Sequence, residues 1–223
     1  TYTVTVNSLS GDGSMRLDLK NSGTGITDTA GNAIAAGYTA GQTYTLDSVV
    51  PAVTSVSVPA NSTYIAGQNL DFTVNFGEAV TVNTTGGTPY IGLTLDTGGT
   101  VQAAYLSGSG TTALVFRHTV LSGEEDLNGV SVGASISANG GTLQDAAGND
   151  AVLMLNSVGS TAAVLVDAVV PTTTVVTAAL SADTGTSSTD FITKTAAQTI
   201  SGTLSANLVT GETVEISLDN GAT

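Results

Sequence analysis

The stretch "NLDFTVNF", residues 69–76, decides the fold class of this chain. Every second residue from Leu70 to Phe76 is apolar, and the residues between them are Asp, Thr and Asn. This period of two is typical of a strand with one buried face. The alternation recurs in "TYTVTVN" (1–7), "TALVFRHTV" (112–120) and "ETVEISL" (212–218), and Gly-rich turns separate such stretches. The pattern predicts an all-β protein with the architecture of a β-sandwich.

Composition narrows the range of partners. The 223 residues include 18 acidic and 4 basic ones, for a net charge of -14. A field of this sign repels polyanions, so we expect no nucleic acid partner and no anionic membrane surface. There is no cysteine, which excludes disulfides and thiolate metal sites. No run of 18 apolar residues is present, so we also expect no membrane insertion.

Two motifs occur twice. "LDSVVPAVTSV" (46–56) matches "VDAVVPTTTVV" (166–176), and "DTAGN" (28–32) matches "DAAGN" (145–149). Repetition at this spacing indicates a tandem array. We therefore predict that residues 1–47 are the C-terminal half of a repeat, that residues 48–167 are a complete repeat, and that residues 168–223 are the N-terminal part of a further repeat.

The complete repeat resembles a known family. The stretches "VPANSTYIAGQNLDFTVNFGEAVTV" (58–82) and "GGTLQDAAGNDAVLMLNSVGSTAAVLVD" (140–167) are similar to the tandem bacterial immunoglobulin-like repeats of large secreted surface adhesins, many of them RTX-type. The resemblance implies Ig-like β-sandwiches joined end to end at the bacterial cell surface. It also implies a spacer role, neighbouring repeats of the same chain as partners, and Ca²⁺ at the junctions. The RTX nonapeptide with its GGxGxD pattern is absent from this sequence.

The carboxylates are predicted to gather at two junctions. If each strand reverses the direction of the chain, one junction collects Asp28, Asn32, Asp47 and Glu78. If the chain also reverses at "NSVGS" (156–160), Asp145, Asn149 and Asp167 meet at the next junction by the same parity. Such oxygen donors suit Ca²⁺, whereas zinc or copper would require His or Cys. The alternative is that "DxAGN" is a plain turn, since Asp and Asn bond their own backbone.

A further acidic stretch and the only histidine leave two smaller questions. In "GEEDLNG" (123–129), Asp126 is either a calcium ligand or part of a solvated acidic turn. His118 lies on the apolar side of a predicted strand, where a structural role is expected.

No nucleophile motif or phosphate loop is present, so we predict that the chain is not an enzyme. The alternative to a spacer is a ligand-binding Ig-like adhesion module, but the tyrosines are scattered along the sequence.

Overall fold

The computed structural model describes residues 3–208 and 212–217, and this part of the chain contains fourteen β-strands and no helix. It therefore contains no helix that could cross a membrane. The strands are β1 (Gly13–Arg16), β2 (Thr43–Leu46), β3 (Val53–Ser57), β4 (Ser62–Tyr64), β5 (Asn69–Asn83), β6 (Tyr90–Thr94), β7 (Thr100–Ser107), β8 (Thr111–Thr119), β9 (Glu125–Asp126), β10 (Ser131–Ser137), β11 (Thr142–Gln144), β12 (Val164–Asp167), β13 (Val175–Leu180) and β14 (Ile200–Leu204).

The long strand β5 organises the main sheet. Its buried residues alternate with partly exposed ones as the sequence predicts, and Leu70, Phe72 and Val74 are fully buried. The sheet has the order β10-β6-β7-β8-β5-β11, and β3 also pairs with β5. Because β8 occupies one edge of β5 along most of its length, β3 and β11 share the other edge.

A smaller sheet, of order β4-β12-β9, contributes Val164 and Val166 to the same core. All the buried hydrophobic residues of the described chain lie between Val53 and Ala168. We call residues 53–168 the central body. The several packed sheets make the fold all-β, as predicted, and are consistent with a β-sandwich.

The backbone contacts divide the chain into two units, Thr1–Ala168 and Val169–Thr223. Within the first unit, β1 and β2 form a two-stranded ribbon ahead of the central body; in the second, β13 pairs with β14. Residues 3–47, and the described residues from 169 onward, include no buried side chain. The strands predicted at 1–7 and 212–218 are absent over residues 3–7 and 212–217, and residues 1, 2 and 218 lie outside the described residues.

The path from Asp150 to Asp167 differs from the prediction. "NSVGS" (156–160) does not reverse the chain, because Val152 pairs in parallel with Ala52, just before β3, and Val158 pairs in parallel with Val56 of β3. In addition, β12 is parallel to β4. Ser157 has a φ of 48°; its carbonyl accepts the N–H of Val56, and the N–H of Gly159 donates to the carbonyl of Val56. The turn-like sequence therefore produces a kink within a single traverse of the central body.

Candidate metal site

Residues 47–52, which we call the incoming segment, reach the central body in the gap between β11 and β3. Along the shared edge of β5, β11 ends where Gln144 pairs with Thr81, and β3 begins where Val53 pairs with Phe76. The register of β5 shifts between Asn75 and Val80. A bulge of this kind re-aims a side chain, and Glu78 lies within it.

Three carboxylates meet in this gap. Asp47 belongs to the incoming segment, Glu78 to the bulge of β5 and Asp145 to the turn after β11, and their ligand oxygens all lie within 4.8 Å of one another. Asp145 is buried, whereas Asp47 and Glu78 are partly exposed. Among the described residues, both arginines pair elsewhere, Arg16 with Asp18 and Arg117 with Asp71. This acidic cluster could hold a metal ion.

The pKa values of Glu78 and Asp145 are shifted in opposite directions. Partial burial raises the pKa of Glu78, and the negative charges of Asp47, Asp145 and Asp12 raise that pKa further. Burial would also raise the pKa of Asp145, but hydrogen bonds from the side chain and backbone of Asn149 and from the backbone of Gly148 and Ala147 outweigh it and lower the pKa. The cluster thus combines a carboxylate stabilised by N–H donors with one that is destabilised by its neighbours.

The turn at Asp145 is built by local hydrogen bonds. Asp145 Oδ1 accepts bonds from the backbone N–H groups of Ala147, Gly148 and Asn149, each at 2.8 Å. Asn149 Nδ2 donates to Asp145 Oδ2 at 2.7 Å. Gly148 has a φ of 94°, a conformation that glycine adopts without strain. The sequence "DAAGN" therefore forms a turn whatever else it binds.

The turn at Asp28 forms corresponding bonds between its Asp and Asn residues but lies elsewhere. Asp28 Oδ1 accepts the N–H groups of Ala30 and Asn32, and Asn32 Nδ2 donates to Asp28 Oδ2 at 2.9 Å. These bonds, led by that of the Asn32 side chain, lower the pKa of Asp28. The turn closes the far tip of the hairpin that β1 and β2 begin, with bridges at Leu19–Tyr38 and Thr27–Ala33.

The predicted grouping of the carboxylates is therefore partly wrong. Asp47 and Glu78 do lie together, but Asp28 and Asn32 are at the opposite end of their hairpin from Asp47. Asp145 joins Asp47 instead of Asp167. The chain does not reverse at "NSVGS", and Asp145 and Asp167 therefore lie at opposite ends of the traverse.

Asp167 lies away from the position predicted for it, whereas Asn149 lies beside Asp145 as predicted. Asp167 is exposed and pairs with Glu125, on the part of the central body that follows β8. Asn149 is beside the cluster, but the atom that faces Asp145 Oδ2 is its amide nitrogen. A nitrogen that donates hydrogen bonds cannot at the same time coordinate a cation.

Sequence reasoning missed Asp12 as a neighbour of the cluster. Asp12 Oδ1 accepts the backbone N–H of Ser48 at 2.9 Å, and its charge contributes to the raised pKa of Glu78. The register of the ribbon accounts for its position: Gly13 pairs with Leu46, so Asp12 is brought beside Asp47.

The stretch "GEEDLNG" forms a turn and a buried pair. Asp126 is buried, and its Oδ1 accepts the N–H groups of Asn128 and Gly129, at 3.3 and 2.7 Å. His118 Nε2 lies 2.9 Å from Glu124 Oε2, and both side chains are buried. In the described chain, Asp126 is not part of a group of three acidic or histidine ligands. Asp126 is therefore a buried residue that closes the loop after β8, and it is not part of a solvated turn.

Protein-family models, curated proteins and solved structures were all searched, and none of them matches this chain.

Proposed function

We propose that the chain is a structural spacer segment of a large bacterial cell-surface adhesin, made of Ig-like repeats joined end to end and stiffened by Ca²⁺ where one repeat meets the next. The observation that carries the proposal is the convergence of Asp47, from the incoming segment, with Glu78 and Asp145 of the central body. One ion held there would tie the chain that arrives to the body that receives it.

The path of the chain through the central body supports a spacer role. The incoming segment arrives beside the start of β8, since Val80, two residues after Glu78, pairs with Thr111. The chain leaves beyond the end of β8, where Ala168 exchanges backbone hydrogen bonds with Gly123 and Glu124. The nine residues of β8 span roughly 30 Å at the usual rise of a strand. A module that is entered at one end and left at the other suits a linear array.

The donor set favours Ca²⁺ over other cations. Three carboxylates offer hard oxygen ligands, and Ca²⁺ accepts six to eight such oxygens in adaptable geometry, including backbone carbonyls and water. The partial exposure of Asp47 and Glu78 leaves room for water to complete the coordination. Mg²⁺ demands stricter octahedral geometry and releases its water reluctantly. Asp47, Glu78 and Asp145 are the residues that would hold the ion.

Calcium would also explain how the acidic cluster is tolerated. Like charges at this separation repel one another, and no basic side chain of the described chain forms an ion pair with them. A divalent cation would reverse the sign of that interaction. Because calcium is abundant outside the cell, the proposed extracellular location would supply the ion after export.

A thermal unfolding series tests the proposal directly. The chain is melted in excess EGTA, in millimolar CaCl2 and in millimolar MgCl2, and the series is repeated with Asp145→Asn. We expect a rise in Tm that is specific to calcium and that the substitution reduces strongly. The same Tm in all three solutions would show that the cluster binds no ion and would remove the basis of calcium stiffening.

A further inference from the structure

The incoming segment makes hydrogen bonds along its whole length. Asn149 Nδ2 lies 3.3 Å from the carbonyl oxygen of Asp47 and 3.4 Å from that of Val49. The N–H of Val152 donates to the carbonyl of Pro51 at 2.7 Å. Successive carbonyls of an extended chain point to opposite sides, so those of residues 47, 49 and 51 share one side. That side faces residues 149–152 of the central body.

The orientation of the Asn149 amide is fixed by its surroundings. Its nitrogen faces three oxygen acceptors: the carboxylate of Asp145 and the carbonyls of Asp47 and Val49. Reversing the amide would place its oxygen against the same three oxygens, which is repulsive. The carboxylate of Asp145 therefore holds the amide in the orientation that can donate to the incoming segment.

The other copy of the turn provides an internal comparison. Asn32 donates to Asp28 as Asn149 donates to Asp145, and the backbone bonds Asp28 N–H to Asn32 O and Asp145 N–H to Asn149 O also correspond. The side-chain bonds to a distant backbone occur at Asn149 and have no counterpart among those of Asn32 in the described chain. Formation of the turn therefore does not by itself require these contacts.

We propose that Asn149 is a positioning residue, which holds the incoming segment on the central body before any ion binds and so places Asp47 within reach of Glu78 and Asp145. Asp12 secures the same segment from the ribbon side through the N–H of Ser48. The inference deepens the spacer function proposed above and rests on it for its biological meaning. The binding of residues 47–49 by Asn149 itself depends neither on the ion nor on the spacer function.

The first test uses the unaltered chain in excess EGTA. The side-chain amide protons of Asn149 and Asn32 are compared by hydrogen exchange in NMR spectra. We expect exchange at Asn149 to be slower by roughly tenfold, the effect of additional hydrogen bonds of ordinary strength. Equal rates at the two amides would overturn the proposal. This measurement needs no variant and no calcium.

The second test measures the motion of the incoming segment. Backbone ¹⁵N relaxation at Ser48, Val49 and Val50 is recorded for Asn149→Ala and for the matched control Asn32→Ala, both in EGTA. In the first variant we expect order parameters to fall from about 0.85 to below about 0.6, and in the control to stay unchanged. Unchanged values in both variants, or equal losses in both, would refute the positioning role.

These outcomes are distinguishable from failure of the calcium proposal. If calcium does not raise Tm, but the amide protons of Asn149 exchange slowly and its substitution loosens the segment, the calcium proposal is refuted and the positioning role of Asn149 is supported. If calcium raises Tm but the two asparagines behave alike, the ion alone orders the segment. The amide protons of the unaltered chain decide the question even if Asn149→Ala does not fold.

Discussion

Substitution of Asp47 by Asn should have opposite effects with and without calcium. In EGTA the change removes one negative charge from a cluster whose oxygens lie within 4.8 Å of one another, so we expect Tm to stay the same or rise. In calcium the same change removes a ligand and should abolish most of the stabilisation by the ion. The control is Asp28→Asn, which makes the same substitution in the "DTAGN" turn, away from the cluster.

The magnitude follows from ligand linkage. With calcium at a hundred times its Kd, the ion stabilises the folded state by about 2.7 kcal/mol. For a unit the size of Thr1–Ala168 this corresponds to a rise in Tm of roughly 5–11 °C. If loss of one carboxylate weakens binding about a hundredfold, the remaining rise is roughly 1–2 °C.

Differential scanning calorimetry, with and without calcium, measures both effects. Asp28→Asn should keep the full calcium response, although it replaces one of the two acceptor oxygens in its own turn and can lower Tm equally in both solutions. Loss of the calcium response to the same extent in Asp47→Asn and Asp28→Asn would refute a site at the cluster. A lower Tm of Asp47→Asn in EGTA would also count against it, because the charges would then not be repelling one another.

Three further predictions concern pH, the core and a close backbone approach. The pKa of Glu78 is raised in the folded state, so its ionisation destabilises the calcium-free protein at pH values above the ordinary pKa of 4.5. In urea titrations without calcium, Glu78→Gln should therefore be more stable than the unaltered chain at pH 7. This difference should disappear below pH 4.5. Phe72→Ala should lower the free energy of unfolding by about 3–5 kcal/mol in urea, since Phe72 is fully buried, whereas Val176→Ala on an exposed strand should change it by less than about 0.5 kcal/mol. Gly129→Ala should unfold at lower urea than Gly123→Ala: both have positive φ, but the added Cβ lies 2.7 Å from backbone atoms at position 129 and in open space at position 123.

Short-range features of the structure could be predicted from the sequence. The alternation in residues 69–76 gives the buried face of β5, because side chains of a strand point alternately to its two faces. The two "DxAGN" turns form corresponding bonds between Asp and Asn, since these bonds lie within five residues. The proximity of Glu78 to Asp47 also followed from the order of two adjacent strands.

The membership of the acidic cluster could not be predicted in the same way. It depended on whether the chain reverses at residues 156–160, and a bend and a reversal have similar local sequences. The reversal is prevented by pairing of residues 152 and 158 with residues 52 and 56, about a hundred positions earlier in the chain. No local pattern records such a contact.

The sequence by itself determined an all-β chain of high negative charge, with a repeated Asp-Gly-Asn turn whose internal hydrogen bonds are local. Only the tertiary structure decided which copy of that turn meets the incoming segment. Asp145 joins Asp47 and Glu78 because β11 ends beside the bulge of β5, while Asp28 remains at the tip of a separate hairpin. The two turns share their chemistry, and they differ in position because strand pairing over long sequence separations sets where each one lies.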